Sequence, residues 1–126
     1  MKTHFTIDKA NNRIQTTVIG EISTEELIEH IGRVHSHPDF RKGMDTLADF
    51  SRAKASHTIN LKKIIGTKEY TKTIEEVRGN CKWAIHAYED NMYAFIQMFS
   101  VLTKGMQIRV QVFRTKKEAE DWLNER

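Results

Sequence analysis

Residues 3–8 and 13–19 alternate between apolar and polar positions, which is the period of a half-buried strand. Phe5 and Ile7 fall on one side and His4, Thr6 and Asp8 on the other. In the second run Ile14, Thr16 and Val18 oppose Gln15, Thr17 and Ile19. Asn11-Asn12 between them suits a tight turn, because asparagine tolerates left-handed backbone, so the opening reads as a hairpin that Gly20 ends. The period then changes. Ser23 with Glu26 makes a capping box, and Leu27, Ile28, Ile31 and Val34 recur at helical spacing until His37-Pro38 closes the helix. Phe40 follows as an apolar anchor. Residues 44–50 predict a short strand, cut off by the polar stretch 51–58. Asn60 caps a second helix whose inner stripe is Leu61, Ile64, Ile65, Ile74 and Val77, weakened by Gly66 and threonines. Gly79-Asn80 ends it, and residues 81–87 make the next strand. Glu89, Asp90 and Asn91 open a third helix with acids at its positive end, and Lys104-Gly105 stops it. Residues 107–113 form the last strand. Thr115 and Glu118 cap a final helix that buries Ala119, Trp122 and Leu123.

The element order is therefore β-β-α-β-α-β-α-β-α, an α/β fold with a mostly parallel five-stranded sheet. Strands joined through helices must run parallel, with right-handed crossovers. The strands alternate rather than being apolar throughout: Trp83 and Ile85 sit between Lys82, Ala84 and His86, and Ile108, Val110 and Val112 between Gln107, Arg109 and Gln111. A sheet covered equally on both faces would be apolar on both. The pattern predicts helices mainly on one face, a βα superhelix whose opposite face carries His4, Thr6, Gln15, Thr17, Lys82, His86, Arg109 and Gln111 and is partly wet. A doubly wound, flavodoxin-like sheet is the competing arrangement.

At 126 residues the chain has room for one domain spanning 1–126, and 39% hydrophobic with 29% charged residues is an ordinary globular composition. The first residues lack the apolar stretch of a signal peptide, and no segment is long enough to cross a bilayer. Cys81 is the single cysteine, which fits a reducing cytoplasm. The net charge of +3 is scattered, without the basic stripe of a nucleic-acid binder.

Open parallel sheets place ligands at the C-terminal ends of their strands. That rim collects Asp49 and Ser51, then Ser56 and Thr58 in the following loop, then Glu89 and Asp90. Each has a plain structural use as well: Asp49 can cap its own loop, and Glu89 and Asp90 can cap the third helix. His30, His35 and His37 cluster near the end of the first helix, but no further ligand at recognisable spacing completes a metal site, and they read as surface residues. Cys81 begins a strand, and no nucleophile elbow or phosphate-binding glycine loop is present, so no catalytic residue, metal or cofactor is expected. The third helix is more apolar than docking requires. Met92, Phe95, Ile96, Phe99 and Leu102 make one stripe, and Tyr93, Met98 and Val101 add a second patch suited to a partner or an apolar ligand.

Val18-Ile19-Gly20-Glu21 before a capped helix, Leu47-Ala48-Asp49-Phe50 ending a strand, and Val112-Phe113 followed by Glu118-Ala119 and Trp122-Leu123 carry a resemblance. Over nearly its whole length the chain resembles the STAS domain, the SpoIIAA-like fold of sulfate transporters and anti-sigma-factor antagonists. It is most similar to the small stand-alone bacterial proteins of that type. In the antagonists a kinase modifies a serine in an Asp-Ser-Ser-Gly run after the third strand. Here residues 55–60 read Ala-Ser-His-Thr-Ile-Asn, without the Asp-Ser pair or the glycine, and Thr58 stands at the corresponding place. A phosphate there would meet a helix N-terminus. The resemblance implies a non-catalytic regulatory or protein-interaction module, forming a homodimer or meeting a protein partner through the loop at Ser56 and Thr58 and the third helix. The alternative is a binder of a small apolar or lipid-like ligand held between the second and third helices.

Overall fold

The first two strands, β1 (Thr3–Asp8) and β2 (Arg13–Ile22), pair antiparallel around Asn12, whose φ of 54° is the left-handed turn the asparagine pair predicts. The structure is a computed structural model and describes residues 2–125. Strands β3 (Asp45–Ala55), β4 (Cys81–Ala87) and β5 (Ile108–Phe113) follow in sequence order, each parallel to the one before. The helices are α1 (Thr24–His35), α2 (Leu61–Thr73), the single turn α3 (Glu75–Arg78), α4 (Asp90–Leu102) and α5 (Lys116–Asn124).

The caps explain where the helices begin. Ser23 Oγ accepts from the Glu26 amide at 3.2 Å while the Glu26 carboxylate accepts from the Ser23 amide at 3.0 Å. The Asn60 side chain accepts from the Lys63 amide at 2.9 Å, and Thr115 Oγ1 from the Glu118 amide at 3.2 Å. The Glu89 carboxylate accepts from the amides of Asn91 and Met92, and also from the amide of Ala55 at the end of β3. That one side chain starts α4 and ties it to the sheet.

Strand β3 runs five residues past the Phe50 end that the sequence pattern suggests. Thr17 pairs with Asp49 but Ile19 with Arg52, so three steps of β3 oppose two of β2. The extra residue reverses the alternation: Ala48 and Phe50 are buried before it, Ala53 after it. Ser51 consequently lies inside the strand rather than in a loop beyond it. Its amide donates to Asp49 Oδ1 at 2.9 Å, which satisfies the N–H that the irregularity displaces.

Helices α1, α2 and α4 share one face of the sheet, over a core that includes Val18, Phe50, Trp83, Ile85, Ile96 and Ile108. Helix α5 lies on the opposite face, where Ala119 and Leu123 pack on Leu47 of β3 and Ala84 of β4. Lys82 shows why it docks there. Only 9% exposed, it sends its ammonium to the Trp122 and Glu125 carbonyls at 2.8 and 3.0 Å, at the negative end of α5. The helices thus lie mainly on one face, and α5 closes the middle of the other. His4, Thr6, Gln15, Arg109 and Gln111 stay exposed there.

The second helix departs most from expectation. It ends at Thr73, and Ile74 takes a non-helical conformation before α3. Of the expected stripe only Ile64 and Ile74 are buried; Leu61, Ile65 and Val77 are exposed. The break rotates α3, so that Val77 turns outward and Arg78 takes the inward place. Gly79 then needs a φ of 72°, and a Cβ there would lie 2.8 Å from the Lys42 side chain.

Candidate functional site

Between the sheet and helices α1, α2 and α4 lies a cavity of about 130 Å³ whose lining is almost wholly apolar. Small side chains on both sides create it. Thr16, Thr46 and Ala48 floor it from β2 and β3, and α2 contributes Ile64 and Thr67 where larger apolar residues would fill the space. Thr67 and Thr71 turn their hydroxyls back to carbonyls of their own helix, at 2.9 and 2.8 Å, which leaves methyl groups inward. Met92, Ile96 and Phe99 of α4 and Leu27, Ile31 and Val34 of α1 complete the walls. Leu27, Ile31, Thr67 and Phe95 are half-buried, which puts the thinnest wall where the three helices meet.

The polar residues of the lining are Thr16, Thr24, Thr46, Thr67, His30 and Arg78, with Trp83 beside them. His30 is buried, with Nε2 3.1 Å from Thr16 Oγ1, and its Nδ1 has no partner among the described residues. Burial, reinforced by the neighbouring Arg33 and Arg78 charges, pulls its pKa down to about 4, so the ring is neutral near pH 7. Arg78 is 3% exposed and donates from Nη2 to Thr46 Oγ1 at 2.9 Å. Its guanidinium lies 4.9 Å from the ring centre of Trp83 and 5.6 Å from that of Phe40, within cation–π range. Burial lowers its pKa to about 10, which leaves it charged. Cys81, buried nearby, has its thiol pushed up to about 11 by burial and stays neutral.

The expected rim residues are not gathered into one site. Asp49 faces the opposite side of the sheet, occupied by its bond to Ser51, with its carboxylate 3.8 Å from His86 Nδ1. Partial burial raises its pKa, but the bonds to Ser51 and the nearby His86 and Arg52 together hold it below the ordinary value. Ser56 is buried and its hydroxyl lies 2.9 Å from Thr58 Oγ1, closing a turn; Thr58 is exposed at its edge. Asp90 pairs with Arg114 at 3.2 Å, and that guanidinium sits 3.9 Å from the Tyr93 ring centre. Tyr93 therefore packs inward while Met98 stays 40% exposed, so the expected second patch of α4 divides.

Two cavity groups escaped the sequence reading. His30 was expected on the surface, yet it lies on the Leu27–Ile31–Val34 stripe, three residues after Leu27, and that spacing is its signal. Arg78 stands four residues after Ile74, but helix periodicity cannot carry through the break between them. His35 is half-buried against Phe40, and burial likewise pulls its pKa down to about 4. Among the described residues no group of three or more His, Cys, Asp or Glu side chains is placed to hold a metal ion. No described helix is long and apolar enough to cross a membrane.

No family model matches the chain. No curated protein matches it either. Among solved structures it is similar to an uncharacterized protein of the DUF3478 family from Shewanella loihica PV-4, described as having a SpoIIAA-like fold. The two are 13% identical and superpose with a TM-score of 0.60 over 96% of this chain and 93% of that one. With the strand order and the hairpin start already described, this likeness shows that the chain has the SpoIIAA-like fold.

Proposed function

We propose that this protein is a non-catalytic binder of a small apolar molecule, held between the sheet and helices α1, α2 and α4. The cavity carries the reading. Its 130 Å³ compares with the roughly 150 Å³ apolar cavity that takes up benzene or xenon. At the usual dependence on cavity volume, an unfilled space of this size costs about 3 kcal/mol. That is a large share of the ~5–15 kcal/mol that stabilises a typical domain. A ligand filling it would recover much of that loss. Titration with hexan-1-ol or benzyl alcohol, followed by amide NMR, is expected to shift Ala48, Ile64 and Ile96 and leave β1 unmoved. Shifts absent from all three residues at millimolar ligand would sink the reading.

A second reading draws on the outer surface. Met98 and Val101 of α4 are 40% and 58% exposed, and Leu61 and Ile65 of α2 are exposed as well. Such residues suit contact with a second copy or a protein partner. Self-association of this kind predicts a larger species in light scattering that Met98→Lys dissociates, and equally monomeric wild type and variant would end it.

A further inference from the structure

We propose that the cavity's occupant is a small monocarboxylic acid, with an aromatic or short alkyl body against the apolar walls and its carboxylate on Arg78. The proposal rests on the cavity reading above and adds the chemical class of the ligand. Arg78 lines the cavity, and its Nε and Nη1 are buried with no hydrogen-bond partner. Among the described residues it forms no salt bridge. The acidic groups acting on it are the Cys81 thiol and the Tyr70 phenol, and no carboxylate is among them. A buried charge without a counter-ion is a costly arrangement. The π faces of Phe40 and Trp83 offset part of that cost, but they do not accept the N–H groups that radiate in the guanidinium plane.

The neighbouring groups need an acceptor too. Trp83 Nε1–H, a pure donor, is buried without a partner. A carboxylate is acceptor-only, and it forms short charge-assisted bonds with a guanidinium. A neutral ligand can accept from these donors but leaves the Arg78 charge without a counter-ion. One buried cation balances one negative charge, whereas a phosphate monoester brings about −1.5 to −2. Beyond Arg78 the lining holds no second charged side chain for it, His30 being neutral near pH 7, and its apolar walls fit a hydrocarbon body instead.

Matched pairs of probes test this: benzoate against benzyl alcohol and hexanoate against hexan-1-ol, by calorimetry and by the Trp83 indole N–H resonance. The acids are expected to bind at least tenfold more tightly than the alcohols and to move that resonance. Acetate, which has the head without the body, is expected not to compete. Arg78→Met should erase the preference while keeping alcohol binding. Equal binding of acid and alcohol by the wild type, or a preference that survives Arg78→Met, overturns the headgroup assignment and leaves the cavity reading standing. Failure of both acids and alcohols to bind removes the two together. If Arg78→Met does not fold, wild-type crystals soaked in benzoate decide. A carboxylate on Arg78 upholds the proposal, and benzoate found only at surface lysines refutes it.

Discussion

The two faces of this sheet are built from the same strands and closed in opposite ways. Under α5, Leu47, Ala84, Ala119 and Leu123 meet at close range, and Lys82 fastens the helix end by two hydrogen bonds. Under α1, α2 and α4 the covering is larger yet leaves an apolar cavity of about 130 Å³. Ala48 and Ala84 stand on neighbouring strands, one step apart in register and pointing to opposite faces. The first opens into the cavity, and the second is fully packed. A small residue in a sheet can therefore admit a helix or leave a hollow, depending on what the covering element brings. Helix α5 brings Leu123 to its alanine. On the other face helix α2 brings Thr67 to the cavity wall.

Substitutions should expose this difference. The largest loss is expected for Leu123→Ala, about 2–5 kcal/mol in urea unfolding, because it empties the small, well-packed cluster under α5. Next comes a mirrored pair. Ala84→Leu should destabilise by about 1–3 kcal/mol through overpacking, whereas Ala48→Leu should stabilise by about 1–2 kcal/mol as it fills part of the cavity. If both alanines respond alike, the contrast between the faces is wrong. Lys82→Met keeps the apolar stem and removes the ammonium, and a loss of about 1–2 kcal/mol is expected, with amide exchange rising first in α5.

The upper part of the pH dependence bears on helix α1 and the face it covers. His30 and His35 have folded pKa values of about 4 against an ordinary 6.5. The unfolded chain binds these protons first, so their contribution is complete above pH 6.5 and is lost as pH falls from there through about 4. The carboxylates held below their ordinary values, Asp8, Glu25, Glu26, Asp49 and Glu89, lose theirs further down, below about 4.5. Chemical unfolding at several pH values should show the two windows. His30→Gln is expected to flatten the upper one.

Much of this architecture was legible because local signals agree with one another. The capping box at Ser23, the Thr115 cap and the alternation of β5 stand in the structure where the sequence puts them, whereas the reciprocal bond from the Thr115 amide is absent and β4 is buried on both faces. The rest was hidden wherever a period is interrupted. The extra residue in β3 reverses its alternation, so the strand reads as ending at Phe50 and Ser51 reads as loop. The break at Ile74 exchanges Val77 for Arg78 at the buried position, and periodicity assigns the core to the apolar one. Asp49 and Glu89 do meet the plain structural uses foreseen for them, as partners of backbone amides. A cavity has no sequence signature of its own, since it is a missing contact between residues far apart in the chain. The nearest trace of it is the poor apolar stripe of α2, where Thr67 lines the cavity with Thr16, Thr46 and Ala48 of the sheet.

Xenon-pressurised crystals of the wild type and of Ala48→Leu test the hollow face most directly. The wild type is expected to show density bounded by Ala48, Ile64, Ile96 and Phe99, from xenon or from a molecule carried through purification, and Ala48→Leu to show little or none. A wild-type crystal with those side chains collapsed together and no density between them would contradict the account.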